Sequence, residues 1–212
     1  MGEEKPETPD LKARFIEAAR EILREGPEPR KLGLRKIAQK AAMSRTAPYL
    51  VFGKEREGGG LAALQAAVGA DGFRRLAEAM RQAAQANRKD PERGLREIAA
   101  AYLGFARENP RLYRLMFGNE LAGSLHLEGL GEARLAAQEI IQEVVERCQT
   151  AGVVKPGDPE RFAKSAWATI HGYATLMLDE VSESLSAPGE SEDVAQMAAD
   201  HLLDGLGSSR RG

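Results

Sequence analysis

The chain has 212 residues, with 30 Lys and Arg against 32 Asp and Glu, a net charge of −2 and one cysteine, Cys148. That length suits one or two compact domains, and the dominance of Ala, Leu, Glu, Arg and Gln beside 5% aromatic residues reads as all-helical. A lone cysteine excludes an intrachain disulfide and a cysteine-based metal cluster, and no apolar run reaches the ~18 residues that span a bilayer, so a cytoplasmic protein without a membrane partner is expected.

The first eight residues are polar and contain Pro6, which predicts disorder. Pro9 and Asp10 can start a helix that runs to about Glu25, with Leu11, Phe15, Ala18, Ala19, Ile22 and Leu23 on one face. Gly26 and Pro27 end it, and residues 28–33 form a surface loop. From Leu34 the apolar positions Leu34, Ile37, Ala38 and Ala41 again follow helical spacing, while Arg35, Lys36, Gln39 and Lys40 point elsewhere. Ala42 and Met43 leave the pattern. Ser44 can then cap a second short helix starting at Arg45, with Pro48 near the end of its first turn, where a missing N–H costs little. Two short helices joined by a tight turn make a helix-turn-helix, whose second helix enters the DNA major groove.

Charge agrees with that reading. Between Arg30 and Arg56 lie Arg30, Lys31, Arg35, Lys36, Lys40, Arg45, Lys54 and Arg56 against one acid, Glu55, in a chain that is slightly acidic as a whole. A local basic patch is what one phosphate-facing module requires; a solvated basic surface is the plainer account of charge alone.

Gly58, Gly59 and Gly60 form helix poorly, so a loop precedes a long helix over residues 61–86. No strand precedes these glycines and no Gly-Lys-Ser/Thr follows, which argues against a phosphate-binding loop. Further helices are expected from Pro91 to Glu108, from Arg111 to about residue 121, from about 132 to 151, from 160 to about 185 and from 191 to 206, with a frayed tail from Gly207. Cys148 falls in a helical run and reads as a small buried residue. His126, His171 and His201 are scattered without metal-ligand spacing, and no nucleophile–base pair or nucleotide loop is visible, so neither a metal, a cofactor nor a catalytic residue is expected.

Residues 11–68 resemble the DNA-binding domain of the tetracycline-repressor (TetR) family of transcriptional regulators. The resemblance rests on Phe15-Ile16-Glu17-Ala18-Ala19, Leu34-Arg35-Lys36-Ile37-Ala38, Ser44-Arg45-Thr46-Ala47-Pro48-Tyr49, Phe52 and Lys54-Glu55. Two departures stand out: Ala42 occupies a turn position where the family usually has Gly, and Val51 one where it usually has a polar residue or His. Farther on, Ala166-Trp167-Ala168-Thr169-Ile170-His171-Gly172-Tyr173-Ala174 and Glu108-Asn109-Pro110-Arg111-Leu112-Tyr113-Arg114-Leu115-Met116-Phe117 resemble a subgroup with a Trp-X-X-X-His-Gly signature.

The resemblance implies an all-α protein of about nine helices, with a three-helix DNA-binding domain over residues 9–57 and a helical-bundle effector-binding and dimerisation domain over 58–207. It implies a repressor that binds a palindromic operator as a homodimer. Arg35, Ser44, Arg45, Thr46, Ala47, Tyr49 and Lys54 are the DNA-binding candidates, with Arg45 and Thr46 at base edges and Tyr49 and Lys54 at phosphates. Phe105, Tyr113, Met116, Phe117, Trp167, His171 and Ala174 are candidates for binding a small, mostly apolar effector; read without the resemblance, they are more simply the core of a bundle, with His171 hydrogen-bonded to a neighbour, and the resemblance brings the two readings level. Ala163, Ala166, Ile170, Ala174, Met177, Val181, Val194, Met197, Ala198 and Leu202 are candidates for the dimer contact. A helical interaction module that never meets DNA, and a small helical enzyme, are the rival readings.

Overall fold

The computed structural model describes residues 8–26, 29–53, 59–179 and 191–207. Among them run nine α-helices: α1 (Thr8–Glu25), α2 (Leu34–Lys40), α3 (Ala47–Phe52), α4 (Leu61–Ala86), α5 (Pro91–Glu108), α6 (Pro110–Phe117), α7 (Leu130–Thr150), α8 (Pro159–Leu178) and α9 (Ser191–Leu206). Single 3-10 turns occupy Pro29–Lys31 and Asn119–Leu121. The one β-type pairing among the described residues is an isolated bridge between Val154 and Gly207. The fold is all-α.

Two compact units result, one from residues 1–73 and 111–133, the other from 74–110 and 134–212. In the first, α1, α2 and α3 pack on one another. Phe15, Ala18, Ala19, Ile22 and Leu23 of α1 are buried with Ile37 and Ala38 of α2 and Phe52 of α3, and the rings of Phe15 and Phe52 meet edge-on at 6.0 Å. The first part of α4 is buried on all sides over residues 63–70, a stretch of small and apolar residues that also takes in the polar Gln65. Two glycines there admit neighbours: a Cβ at Gly69 would lie 2.6 Å from Leu121 Cδ1, and one at Gly72 would lie 2.6 Å from Met116 Sδ. Arg111 donates to the α1 carbonyls of Leu23 and Arg24, serving the C-terminal oxygens a helix leaves unpaired.

In the second unit α5 packs against α8 and α9, which also meet each other. Aspartates cap the starts of two helices. Asp90 accepts from Arg93 N at 3.0 Å ahead of Pro91, and Asp158 accepts from Glu160 N at 3.0 Å ahead of Pro159. Arg96 of α5 reaches Asp200 of α9 at 2.6 Å. Cys148 is fully buried, donates to Pro91 O, and its thiol pKa is pushed up to about 11, chiefly by burial.

Several boundaries differ from the sequence expectation. The helix expected over 111–121 stops at Phe117, because Gly118 turns to an extended conformation before the 3-10 turn. The helix expected to reach residue 185 ends at Leu178, where the Asp179 N–H closes on Thr175 O; Val181 lies outside the described residues. Gly207 is tied, not frayed: it bridges Val154 while Lys155 N donates to Leu206 O at 2.9 Å. Of the residues expected to face a second subunit, Ala163, Ala166, Ile170, Ala174, Met177, Val194, Ala198 and Leu202 are buried within the protomer, and Met197 is exposed.

Candidate nucleic-acid interface

The turn between α2 and α3 is set by its hydrogen bonds. Met43 N donates to Ala38 O at 2.9 Å and Ala42 N to Gln39 O at 3.1 Å, the paired pattern of a Schellman helix end. That pattern needs a left-handed residue, and Ala42 supplies it at φ 55°. A Cβ there costs about 1–2 kcal/mol, which explains why glycine suits the position better. Arg14 of α1 donates to Ala41 O at 3.2 Å and fastens the turn to the preceding helix.

The second helix starts later than its sequence suggests. Ser44 does not cap it; its hydroxyl lies 3.2 Å from Thr46 Oγ1, Thr46 is the residue before the first helical position, and Arg45 sits in the turn. Pro48 is therefore the second residue of α3, where its missing N–H would have had no helical partner in any case. Pro48 and Phe52, four residues apart, form the buried face. The opposite side is open: Ser44, Arg45 and Thr46 are exposed, Ala47 is half-buried, Tyr49 is exposed, and Leu50 is 84% exposed.

Before this helix in the chain, Arg30, Lys31, Arg35 and Lys36 are exposed. Lys40 is engaged within the protein, 3.3 Å from both Glu21 and Glu25 of α1, and hydrogen bonds to these two carboxylates hold its pKa above the ordinary lysine value. Its charge is largely answered inside the chain, so it leaves the group of open cations. Lys54 and Arg56 lie outside the described residues.

The effector candidates fall into both units. In the first, Tyr113 and Met116 are buried and Phe117 half-buried; the Phe117 ring meets Phe73 edge-on at 5.2 Å and Tyr113 at 4.7 Å. In the second, Phe105, Trp167 and Ala174 are buried and His171 is half-buried. His171 Nδ1 lies 3.3 Å from the hydroxyl of Tyr102, a fully buried side chain that sequence periodicity marks only as core. Burial, and then the charge of Arg134, depress the His171 pKa below its usual value. A cleft of about 190 Å³ beside Trp167, lined by Leu135, Gln138, Gln142, Glu160 and Lys164 among others, is smaller than the several hundred Å³ that enclose most small-molecule ligands. Among the described residues no cluster of His, Cys, Asp and Glu could hold a metal ion, and no helix is long and apolar enough to cross a membrane.

Comparison with known proteins places this geometry in a family. A model of the tetracyclin repressor-like C-terminal domain matches residues 95–202. A protein of unknown function from Rhodococcus sp. RHA1 has a similar structure at 29% identity, with a TM-score of 0.73 over 93% of this chain and 96% of that one. The TetR-family transcriptional regulator PfmR from Thermus thermophilus is similar at 20% identity and a TM-score of 0.62, over 92% and 99% of the two chains. RolR, solved in complex with resorcinol, is similar at 16% identity and a TM-score of 0.63, over 95% and 90%. No curated protein matches the sequence. With the matched domain spanning just over half of its residues, the chain belongs to the tetracycline-repressor-like family.

Proposed function

We propose that the chain is a transcriptional repressor that binds a palindromic DNA operator as a homodimer and is released by a small, mostly apolar effector. The observation that carries this reading is the outward face of α3. It is a short helix anchored through Pro48 and Phe52; Arg45 and Thr46 in the turn that Ala42 begins, and Tyr49 on the helix, are exposed, as are Arg35 and Lys36 of α2. Arg45 and Thr46 are assigned to base edges, where Arg pairs with guanine, and Tyr49 and Lys54 to phosphates, with Arg35, Ser44 and Ala47 completing the contact. The functional division follows: residues 9–57 bind DNA, and 58–207 bind the effector and the second subunit.

With most apolar positions of α8 and α9 buried inside the protomer, Leu176 and Met197 are the exposed large apolar residues described on these two helices, and we assign the dimer contact to α8 and α9. A two-fold pair sets its recognition helices about 34–36 Å apart, one turn of DNA. Effector contact is assigned to Tyr113, Met116 and Phe117 in the first unit and Phe105, Trp167, His171 and Ala174 in the second, within the Trp-X-X-X-His-Gly subgroup. No Lys or Arg falls between Trp167 and Ala174 along α8, which favours a largely apolar compound, although Lys164 lines the cleft beside Trp167 and Arg134 acts on His171. The phenolic ligand held by RolR is of that kind.

The test is selection of bound duplexes from a random pool, followed by mobility shift at low and moderate salt. A palindromic consensus, bound by a species of dimer mass in light scattering, is the expected result. Binding without sequence preference favours the interaction module, and a monomer that keeps full operator affinity removes the dimer.

A further inference from the structure

We propose that Leu50 reads sequence by meeting the 5-methyl group of a thymine in the major groove. The inference rests on the DNA-binding reading above and names one determinant of its specificity. Single exposed leucines are ordinary on protein surfaces and need no function. Three observations set this one apart.

The first is direction. Leu50 lies midway in sequence between Pro48 and Phe52, the buried residues of α3, and at about 100° per residue this puts it roughly 180° around the helix from their shared face. It is the most exposed side chain of α3, and at 84% the most exposed large apolar residue among those described. The second is rigidity: α3 is held from behind by buried Pro48 and by Phe52, whose ring packs on Phe15, so Leu50 is carried on a fixed platform. The third is setting. The exposed neighbours Ser44, Arg45, Thr46 and Tyr49 can all hydrogen-bond to bases or phosphates, and beside the half-buried methyl of Ala47, Leu50 is the large, exposed apolar side chain of that segment.

Chemistry then selects the occupant. Guanine, adenine and cytosine show the major groove hydrogen-bonding groups alone, whereas thymine adds a methyl group beside its O4 acceptor. A leucine set against a purine or cytosine edge would strip water from polar atoms and return no hydrogen bond. Set against thymine, it buries one methyl group, worth about a fourfold change in affinity in each half-site.

The experiment uses the full chain and the duplex it selects from a random pool, with each thymine replaced in turn by deoxyuridine, which deletes the methyl group and keeps the base pair. For the wild type, affinity should fall about fourfold at one or two thymines of each half-site. Leu50→Ser should bind methylated and demethylated duplexes alike at those positions, and Leu50→Met should keep part of the difference. Because Leu50 is at the surface, both variants should melt with the wild type. A selected site at which the wild type is indifferent to every methyl group overturns the role of Leu50 and leaves DNA binding standing, as does a methyl effect that survives undiminished in Leu50→Ser. Failure to select any sequence removes the DNA-binding reading and this inference together.

Discussion

The segment α2–turn–α3 and the packed set α5, α8 and α9 use their side chains in opposite ways. The first consists of helices of seven and six residues, too short to be stable alone, that bury a few positions and leave arginines, a tyrosine and a leucine in solvent. The second consists of helices of 18, 20 and 16 residues whose apolar positions are spent on one another and whose polar groups, such as Arg96 with Asp200 and Tyr102 with His171, are paired across helices. A surface that must meet a partner keeps its chemistry exposed and draws rigidity from neighbours. A packed core leaves little to read from outside.

Substitutions in the two regions should therefore separate stability from recognition. The largest effect belongs to the core: Ile98→Ala, at a fully buried position of α5, should cost about 2–5 kcal/mol in chemical denaturation, with site preference unchanged wherever the variant is folded. Altered base preference in that variant would blur the contrast. Arg45→Ala should do the reverse, losing about 1–3 kcal/mol of discrimination at one position of the site while its melting temperature stays put. Lys54→Ala should weaken all sequences alike and reduce the salt dependence. An Arg45→Ala variant with intact affinity and preference would mean that another element reads the DNA.

Ala42→Gly probes the turn itself. Relief of the left-handed Cβ, partly offset by the greater freedom of glycine when unfolded, should raise stability by about 0.5–1 kcal/mol. A loss of stability would show that the turn is not strained at Ala42. The smallest effect concerns His171. Its folded pKa lies below its unfolded value of 6.5, so the neutral ring is favoured in the native state. The stabilisation is complete above pH 6.5 and is lost as pH falls from there through the folded pKa, because the unfolded chain takes up the proton first. His171→Gln should flatten that part of the stability profile, and identical profiles for the two proteins would exclude the histidine as its source.

The sequence carried α5 to both of its ends, since Pro91 starts a helix and Asn109-Pro110 stops one for reasons contained in those residues, while the Asp90 cap is seen only in the structure. At Ala42 it was the resemblance, with glycine usual at that position, that pointed to a demanding turn, and the left-handed φ of 55° is what the structure adds. The sequence misjudged the start of α3, where the Ser44 hydroxyl had a local alternative in Thr46 that competes with capping. The partners of long apolar stripes were equally out of reach: Ala166, Ile170 and Ala198 have the same periodicity whether they face α5 or a second subunit.

What the sequence determined by itself was therefore local: helix type, most helix ends, the break after Ala41 and the basic stretch, each governed by residues close together along the chain. Tertiary structure alone decided which apolar faces were already covered, that Lys40 answers Glu21 and Glu25, that Tyr102 meets His171, and that Leu50 faces outward, largely uncovered by the rest of the protein. Those outcomes depend on residues distant along the chain, whose approach no spacing rule encodes, because periodicity defines the face of a helix and burial is a property of what is packed against it.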